Sequence, residues 1–260
     1  MSIKGIVFDF GFTLFYFENP SVERYLETFN KGLERSINLL KELDILKNEQ
    51  VTNKFFKLFN KKKRDYYKDI IKTKKEYTSS YIFKDILAKM VAKNMIEDFG
   101  NIPDSIYNEL ADLYHSVEAK VWRPFENTRK TLQELTKVED LKLGVLSNHP
   151  HHDCIVNILK QHKLTDFFET VVTSAEFGKR KPNIDIFHYT IDKMGIEKEC
   201  IKNCIMCGDE YADIVGGYRA GMQIILYNRI YKFPFEKQID IPELKKIDDI
   251  SEILNYLNVV

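Results

Sequence analysis

Residues 3–9, IKGIVFD, form a short apolar run that closes on an acid. Such a run reads as a strand buried on both faces, with a polar residue at its carboxyl end. The period then changes. Tyr25, Phe29, Leu33, Ile37 and Leu40 recur at helical spacing behind a Pro20-Ser21 start signal. Phe55, Phe56 and Phe59 open a second helical stretch, which ends in Lys61-Lys62-Lys63-Arg64 and Tyr66-Tyr67. Tyr81, Ile82, Ile86, Met90 and Val91 mark a third helix. Ile106, Leu110, Leu113, Tyr114 and Val117 mark a fourth, opened by Pro103-Asp104. Residues 17–120 are therefore predicted to be all-helical.

From Pro124 onward the two periods alternate. A helix carries Leu132 and Leu135, and a strand follows over 141–147, LKLGVLS. A helix is expected around Ile155, Leu159 and Lys160, then a strand over 168–173 and a helix over 185–194. A strand over 203–208, a helix over 213–220 and a strand over 222–227 come next, and a last helix spans 250–257. Strands alternating with helices predict an α/β fold with a doubly wound, Rossmann-like parallel sheet. The helical block is then an inserted all-helical domain over 17–120, within a core built from 1–16 and 121–260.

Composition narrows the class. Hydrophobic residues make up 44% of the 260-residue chain and charged residues 30%, as in an ordinary folded, soluble protein. Lys plus Arg and Asp plus Glu number 39 each, so no net field recruits nucleic acid or an anionic membrane. No apolar stretch reaches the ~20 residues that span a bilayer. The first apolar run is broken at Asp9 and has no small-residue cleavage site, so it does not read as a signal peptide. The four cysteines are too few for a disulfide scaffold at this length. Cys204 and Cys207 form a C-x-x-C, but within a predicted strand residues three apart face opposite ways, and no second Cys/His pair lies at ligand spacing. Reduced thiols and a cytoplasmic location are expected. The lysine run 61–64 reads as a solvated helix face.

The chemistry gathers at predicted strand ends, where open α/β sheets bind ligands. Asp9 ends the first strand, Ser147-Asn148 the second, and Asp209 with Asp213 follows a later one; Lys181 lies in GKRKPNIDIF. A strand-tip carboxylate can act as a nucleophile. A second carboxylate supplies charge for a hard divalent cation. A hydroxyl and a lysine can hold the remaining oxygens of a phosphoryl group.

This ordered set resembles the haloacid dehalogenase-like (HAD) hydrolase superfamily, subfamily I, whose type-1 helical cap sits where the insert falls. The family's D-x-D-x-T is matched by Asp9-Phe10-Gly11-Phe12-Thr13, its Ser/Thr-Asn strand end by Ser147-Asn148, its G-x-x-K-P by Gly178-Lys179-Arg180-Lys181-Pro182, and its G-D-x-x-x-D by Gly208-Asp209 and Asp213. The stretch 216–222, GGYRAGM, is similar to the family's G-A-x-x-A-G-M. The resemblance implies a Mg²⁺-dependent phosphomonoester hydrolase acting on a small phosphorylated metabolite. Asp9 would be the nucleophile, forming an aspartyl-phosphate, and a metal ligand. The Gly11 carbonyl and Asp209 would complete the protein's ligands, with Asp213 orienting Asp209 or the metal's waters. Ser147 and the Asn148 backbone would hold phosphoryl oxygens, Lys181 would stabilise the nucleophile and the transferring group, and Thr13 would support the site. Lys179 is the competing lysine; the K-P pairing favours Lys181.

One position departs from the pattern. The family's phosphatases usually carry a second Asp as general acid/base where this chain has Gly11, and Phe12 stands where a glycine is common. Glu18 and the histidines 149, 151 and 152 are candidate substitutes, although the histidines read first as a polar loop and helix start. Three other functions compete. A true haloacid dehalogenase also lacks the second acid, but usually lacks the Asp209 equivalent too. Phosphonate hydrolysis needs a cap lysine that the sequence does not single out. A catalytically impaired phosphate-binding protein would keep the remaining motifs and lose proton transfer.

Overall fold

The computed structural model describes residues 2–98, 100, 102–229, 231–232 and 236–257. The chain divides into two compact units, one of 1–18 with 122–260 and the other of 19–121.

The first unit is built on six parallel strands. They are β1 (Gly5–Phe8), β4 (Lys142–Ser147), β5 (Thr170–Thr173), β6 (Cys204–Gly208), β7 (Gln223–Tyr227) and β8 (Lys245–Ile247), in the order β5-β4-β1-β6-β7-β8. β1 is central, with Phe8 opposite Val145 of β4 on one side and Cys207 of β6 on the other. The chain winds outward from β1 in both directions, so β1 lies at the switch point where such sheets bind ligands. All four residues of β1 are buried, which explains its unbroken apolar run.

Helices α5 (Thr128–Leu135), α6 (His152–Gln161), α7 (Ser174–Phe177), α8 (Ile184–Lys193) and α9 (Tyr211–Ala220) connect the strands. Val7, Leu146, Val172 and Met206 of the sheet pack with Ile186, Phe187 and Ile191 of α8 in one apolar cluster. Cys204 and Cys207 are buried on β6, and all four cysteines are free thiols.

Three features depart from the sequence pattern. Phe17, the first residue of the expected helical block, is not helical: Phe15–Phe17 forms β2, an antiparallel partner of β3 (Trp122–Pro124). Three-residue strands carry too few alternations to show a period. β8 is likewise short, with only Ile247 buried. The final helical turn, Ile250–Leu257, is 3₁₀ rather than α.

The second unit contains helices α1 (Val22–Glu42), α2 (Glu49–Thr73), α3 (Ser79–Ala92) and α4 (Asp104–His115). Ser21, Asn48 and Thr78 cap the first three by accepting backbone N–H bonds from Arg24, Val51 and Tyr81. α1 and α3 both pack on α4, and α2 packs on α3. Phe29, Leu33, Phe55, Phe59, Phe83, Leu110 and Tyr114 interlock in its core. α2 outruns its apolar signal. Only Thr52, Phe55 and Phe59 are buried, and the lysine-rich second half continues as helix to Thr73. Lys63 is not simply solvated: its ammonium lies 2.6 Å from Tyr114 Oη and 4.6 Å from the centre of the Phe29 ring, and burial pushes its pKa down. Among the described residues, no helix is long and apolar enough to cross a membrane.

Candidate active site at the carboxyl ends of the central strands

Asp9 follows β1 directly, and its N–H donates to the Cys207 carbonyl at 2.9 Å, holding it in line with β6. Its carboxylate is buried. Lys181 Nζ lies 2.5 Å from Asp9 Oδ1, 2.6 Å from Asp213 Oδ1 and 2.8 Å from the Leu146 carbonyl at the tip of β4. Lys181 is 3% exposed, so a cation with these three partners cannot swing into solvent without breaking them all. Lys179 is elsewhere, paired with Asp185 on the surface at 3.0 Å.

The Asn148 side chain braces this lysine from behind. Its Oδ1 accepts from Lys181 N at 2.8 Å, and its Nδ2 donates to the Lys181 carbonyl at 3.2 Å. Ser147 is buried at the end of β4, in register with Thr173.

Asp213 is fully buried in the first turn of α9. Its Oδ2 accepts from the N–H groups of Asp209 and Glu210, at 3.2 and 3.1 Å. It thereby fixes the turn that presents Asp209. A Cβ on Gly208 would stand 2.4 Å from Asp213 Cβ, so the glycine of G-D-x-x-x-D has a steric cause: the second acid lies across it. Thr13 Oγ1 donates to Asp209 Oδ1 at 3.3 Å.

The electrostatics are unequal. Burial, and next to it Asp213, raise the Asp9 pKa to about 7, against the pull of Lys181. Burial alone would push Lys181 down, but Asp213 and Asp9 hold its ammonium above the ordinary lysine value. Carboxylate oxygens of Asp9, Asp209 and Asp213 all lie within 4.8 Å of one another. Three buried acids face two contacting cations, Lys181 and Arg229. An oxygen-only set with excess negative charge fits a hard divalent cation such as magnesium.

The suggested substitute acids lie in other surroundings. Glu18 is half-exposed, with Arg123 at 3.8 Å. His149 Nδ1 lies 2.7 Å from the His151 carbonyl, and His152 Nδ1 3.1 Å from Thr173 Oγ1. His151 is the residue before α6.

Two residues were missed from sequence. Trp122, the chain's one tryptophan, packs against Gly11: a Cβ there would lie 3.1 Å from the indole Cη2. Trp122 also meets Phe10, Phe12 and Phe17 edge to face, with centroids 5.5, 5.5 and 5.2 Å away. Phe12 adopts the left-handed region at φ 60, which explains why glycine suits that position. The second missed residue is Arg229, just past β7, which pairs with Asp209. Its signal was available, because it is a charged residue at a strand end on the same edge as Asp9 and Asp209.

The sequence profile of the haloacid dehalogenase-like hydrolase family matches residues 6–227, and the chain belongs to that family. It is 36% identical over 152 residues to a glyceraldehyde 3-phosphate phosphatase of Methanothermobacter thermautotrophicus, which covers 55% of this chain and 63% of the relative. The chain thus spans less than two thirds of that relative's length. It is 27% identical to the pyrophosphatase PpaX of Bacillus cereus, over 70% of this chain and 84% of the relative. Among solved structures, the HAD hydrolase YfnB of Bacillus subtilis, bound to magnesium, covers 100% of both chains at a TM-score of 0.56 and 17% identity, a likeness of fold.

Proposed function

We propose that this protein is a magnesium-dependent phosphomonoester hydrolase acting through a phosphorylated Asp9. The observation that carries the reading is the buried Asp9–Lys181 contact, with Asp209 and Asp213 beside it at the switch point of the sheet. Asp9, the Gly11 carbonyl and Asp209 would hold the metal, whose charge would draw the phosphate dianion toward an anionic nucleophile. An Asp9 carboxylate oxygen attacks phosphorus, the ester P–O bond breaks, and water later cleaves the acyl phosphate to restore Asp9. Lys181 is placed to stabilise charge on the transferring oxygens, and Ser147 with the Asn148 N–H is assigned the other phosphoryl contacts. Asn148's side chain and Asp213 act as positioning groups for Lys181 and Asp209. Position 11 offers no proton, so the departing oxygen must take one from solvent or from another side chain. Asp209 supports this chemistry over dehalogenation.

The helical unit is assigned the choice of substrate, by the family resemblance. The name of the Methanothermobacter relative makes glyceraldehyde 3-phosphate the first compound to test. The free thiols support a cytoplasmic setting. A second reading, a phosphate-binding protein with impaired turnover, is favoured by the packing of Trp122 on Gly11.

The test is phosphate release from a panel of small phosphate monoesters, with Mg²⁺ and with excess chelator. Magnesium-dependent release is expected. Full activity in chelator would remove the metal from the mechanism. Tight binding of phosphate with Mg²⁺, but no release from any ester, would favour the second reading.

A further inference from the structure

Arg229 is a buried cation beside the site that the reaction above does not use. It sits two residues beyond the end of β7, and its side chain is 6% exposed. Each of the three guanidinium nitrogens has a partner. Nη1 pairs with Asp209 Oδ2, Nη2 lies 2.5 Å from Glu236 Oε1, and Nε donates to the Tyr231 carbonyl at 2.8 Å. Its Cζ stands 5.9 Å from the centre of the Phe12 ring.

Asp209 therefore has both oxygens committed, Oδ1 to the Thr13 hydroxyl and Oδ2 to Arg229. The two partners are not equivalent. A hydroxyl can turn its proton away and leave its oxygen neutral. A guanidinium is permanently charged and cannot be titrated out of the way. A dication on Asp209 would stand a few ångströms from that charge in a buried setting, where like charges repel far more than in water.

We propose that Arg229 sets the metal affinity of this site, by competing with a divalent cation for Asp209. The inference rests on the reading of Asp209 as a metal ligand. Arg229 neutralises one of three crowded carboxylates, and a dication must displace its pairing with Oδ2 or bind against its charge. In both cases the arginine weakens binding, so occupancy of the site depends on the concentration of the divalent cation. The opposite role is a buttress, in which Arg229 holds Asp209 in place for the metal. The two roles predict opposite signs.

The experiment is a direct titration of the full-length protein with Mn²⁺, reading free Mn²⁺ by electron paramagnetic resonance, without substrate. Arg229→Met keeps an apolar stem beside Phe12 and removes the charge; Arg229→Lys keeps the charge. Competition predicts binding at least about tenfold tighter in Arg229→Met, with Arg229→Lys much closer to wild type. In ¹⁵N-labelled wild type, the Arg229 Nε–H signal, assigned by its loss in Arg229→Lys, should shift as Mg²⁺ saturates. That measurement keeps the test open if the methionine variant fails to fold. Equal or weaker Mn²⁺ binding by folded Arg229→Met would overturn the proposal and leave the metal reading standing. So would an Nε–H signal that saturating Mg²⁺ does not move. If Mn²⁺ binds neither wild type nor variants, both the proposal and the metal reading fall.

Discussion

Both compact units bury ionisable groups, but they treat them in opposite ways. In the helical unit several of these groups pair with partners in the same unit. Ser79 Oγ shares a 2.7 Å hydrogen bond with His115 Nε2, whose Nδ1 lies 2.7 Å from Glu118 Oε2. Asp85 accepts from both Tyr66 and Lys89. The Ser79–His115–Glu118 chain has the connectivity of a nucleophilic triad, yet all three members are buried, so it reads as a structural network that fixes α3 against α4. At the strand tips of the α/β unit the charges are left unequal, and burial raises the Asp9 pKa to about 7. Pairing offsets part of the desolvation that burial costs an ionisable group. Unequal burial costs stability, and the proposed metal would supply the missing charge.

The largest expected effect tests the unequal site. Asp9→Asn removes the oxygen anion proposed to attack and should cut turnover roughly 10⁴-fold or more, the scale of nucleophile removal elsewhere. Because it also removes a strained buried charge, its thermal midpoint should equal or exceed that of wild type. Steady-state kinetics and a thermal melt on the same preparation check both parts. Wild-type turnover in this variant would exclude a covalent Asp9 intermediate. A large loss of stability would show that Asp9 holds the fold, and would erase the contrast between the units.

The helical unit should respond the other way. Phe83 is fully buried and stacks near Phe55, Phe59 and Tyr114, with centroids 5.2–6.4 Å apart. Phe83→Ala should cost about 3–5 kcal/mol of stability. Mn²⁺ binding by the folded protein should stay near wild type, because the residues proposed as ligands belong to the other unit. Denaturant melts and the Mn²⁺ titration measure the two quantities. A cost below about 1 kcal/mol would mean the aromatic cluster collapses around the gap.

The same contrast explains what the sequence disclosed. Asp9, Ser147 and Asp209 at strand ends, with Lys181 and Asp213 in the segments that follow, could be picked out because they stand in motif order and the sheet topology gathers the strand ends. The four helices were legible because each carries an apolar stripe. The β2–β3 pair was hidden, since three residues show no period and its partners lie far apart in the chain. The reach of α2 to Thr73 was hidden because polar contacts such as Tyr66 to Asp85 continue where its apolar face stops. Gly11 was noticed as a missing acid. The cause of the vacancy at its Cβ was not, because Trp122 is 111 residues away and only the fold puts its ring there.

That ring decides the smallest effect expected. Restoring an acid by Gly11→Asp would ordinarily promise roughly 10²–10⁴-fold on esters with poor leaving groups. Here the new Cβ meets Trp122 Cη2 at 3.1 Å, and Trp122 is itself wedged among Phe10, Phe12 and Phe17. The ring can yield only by disturbing three aromatic contacts, so the carboxylate is pushed from its working position. Gly11→Asp alone should gain less than about tenfold on an alkyl phosphate, a small part of what a general acid can contribute. Adding Trp122→Phe removes the atoms nearest the new side chain, and the double variant should recover a further share. An aryl phosphate serves as the internal control, because its leaving group needs little protonation and should gain little from either change. Rates on both esters at matched Mg²⁺, with a thermal melt of each variant, complete the comparison. A full gain from Gly11→Asp alone would show that Trp122 moves freely. Wild-type protein that already cleaves the alkyl ester as readily as the aryl one would mean that another group supplies the proton. Glu18 and the histidines 149, 151 and 152 would then be the residues to replace, and Gly11 would mark a relocated acid instead of a lost one.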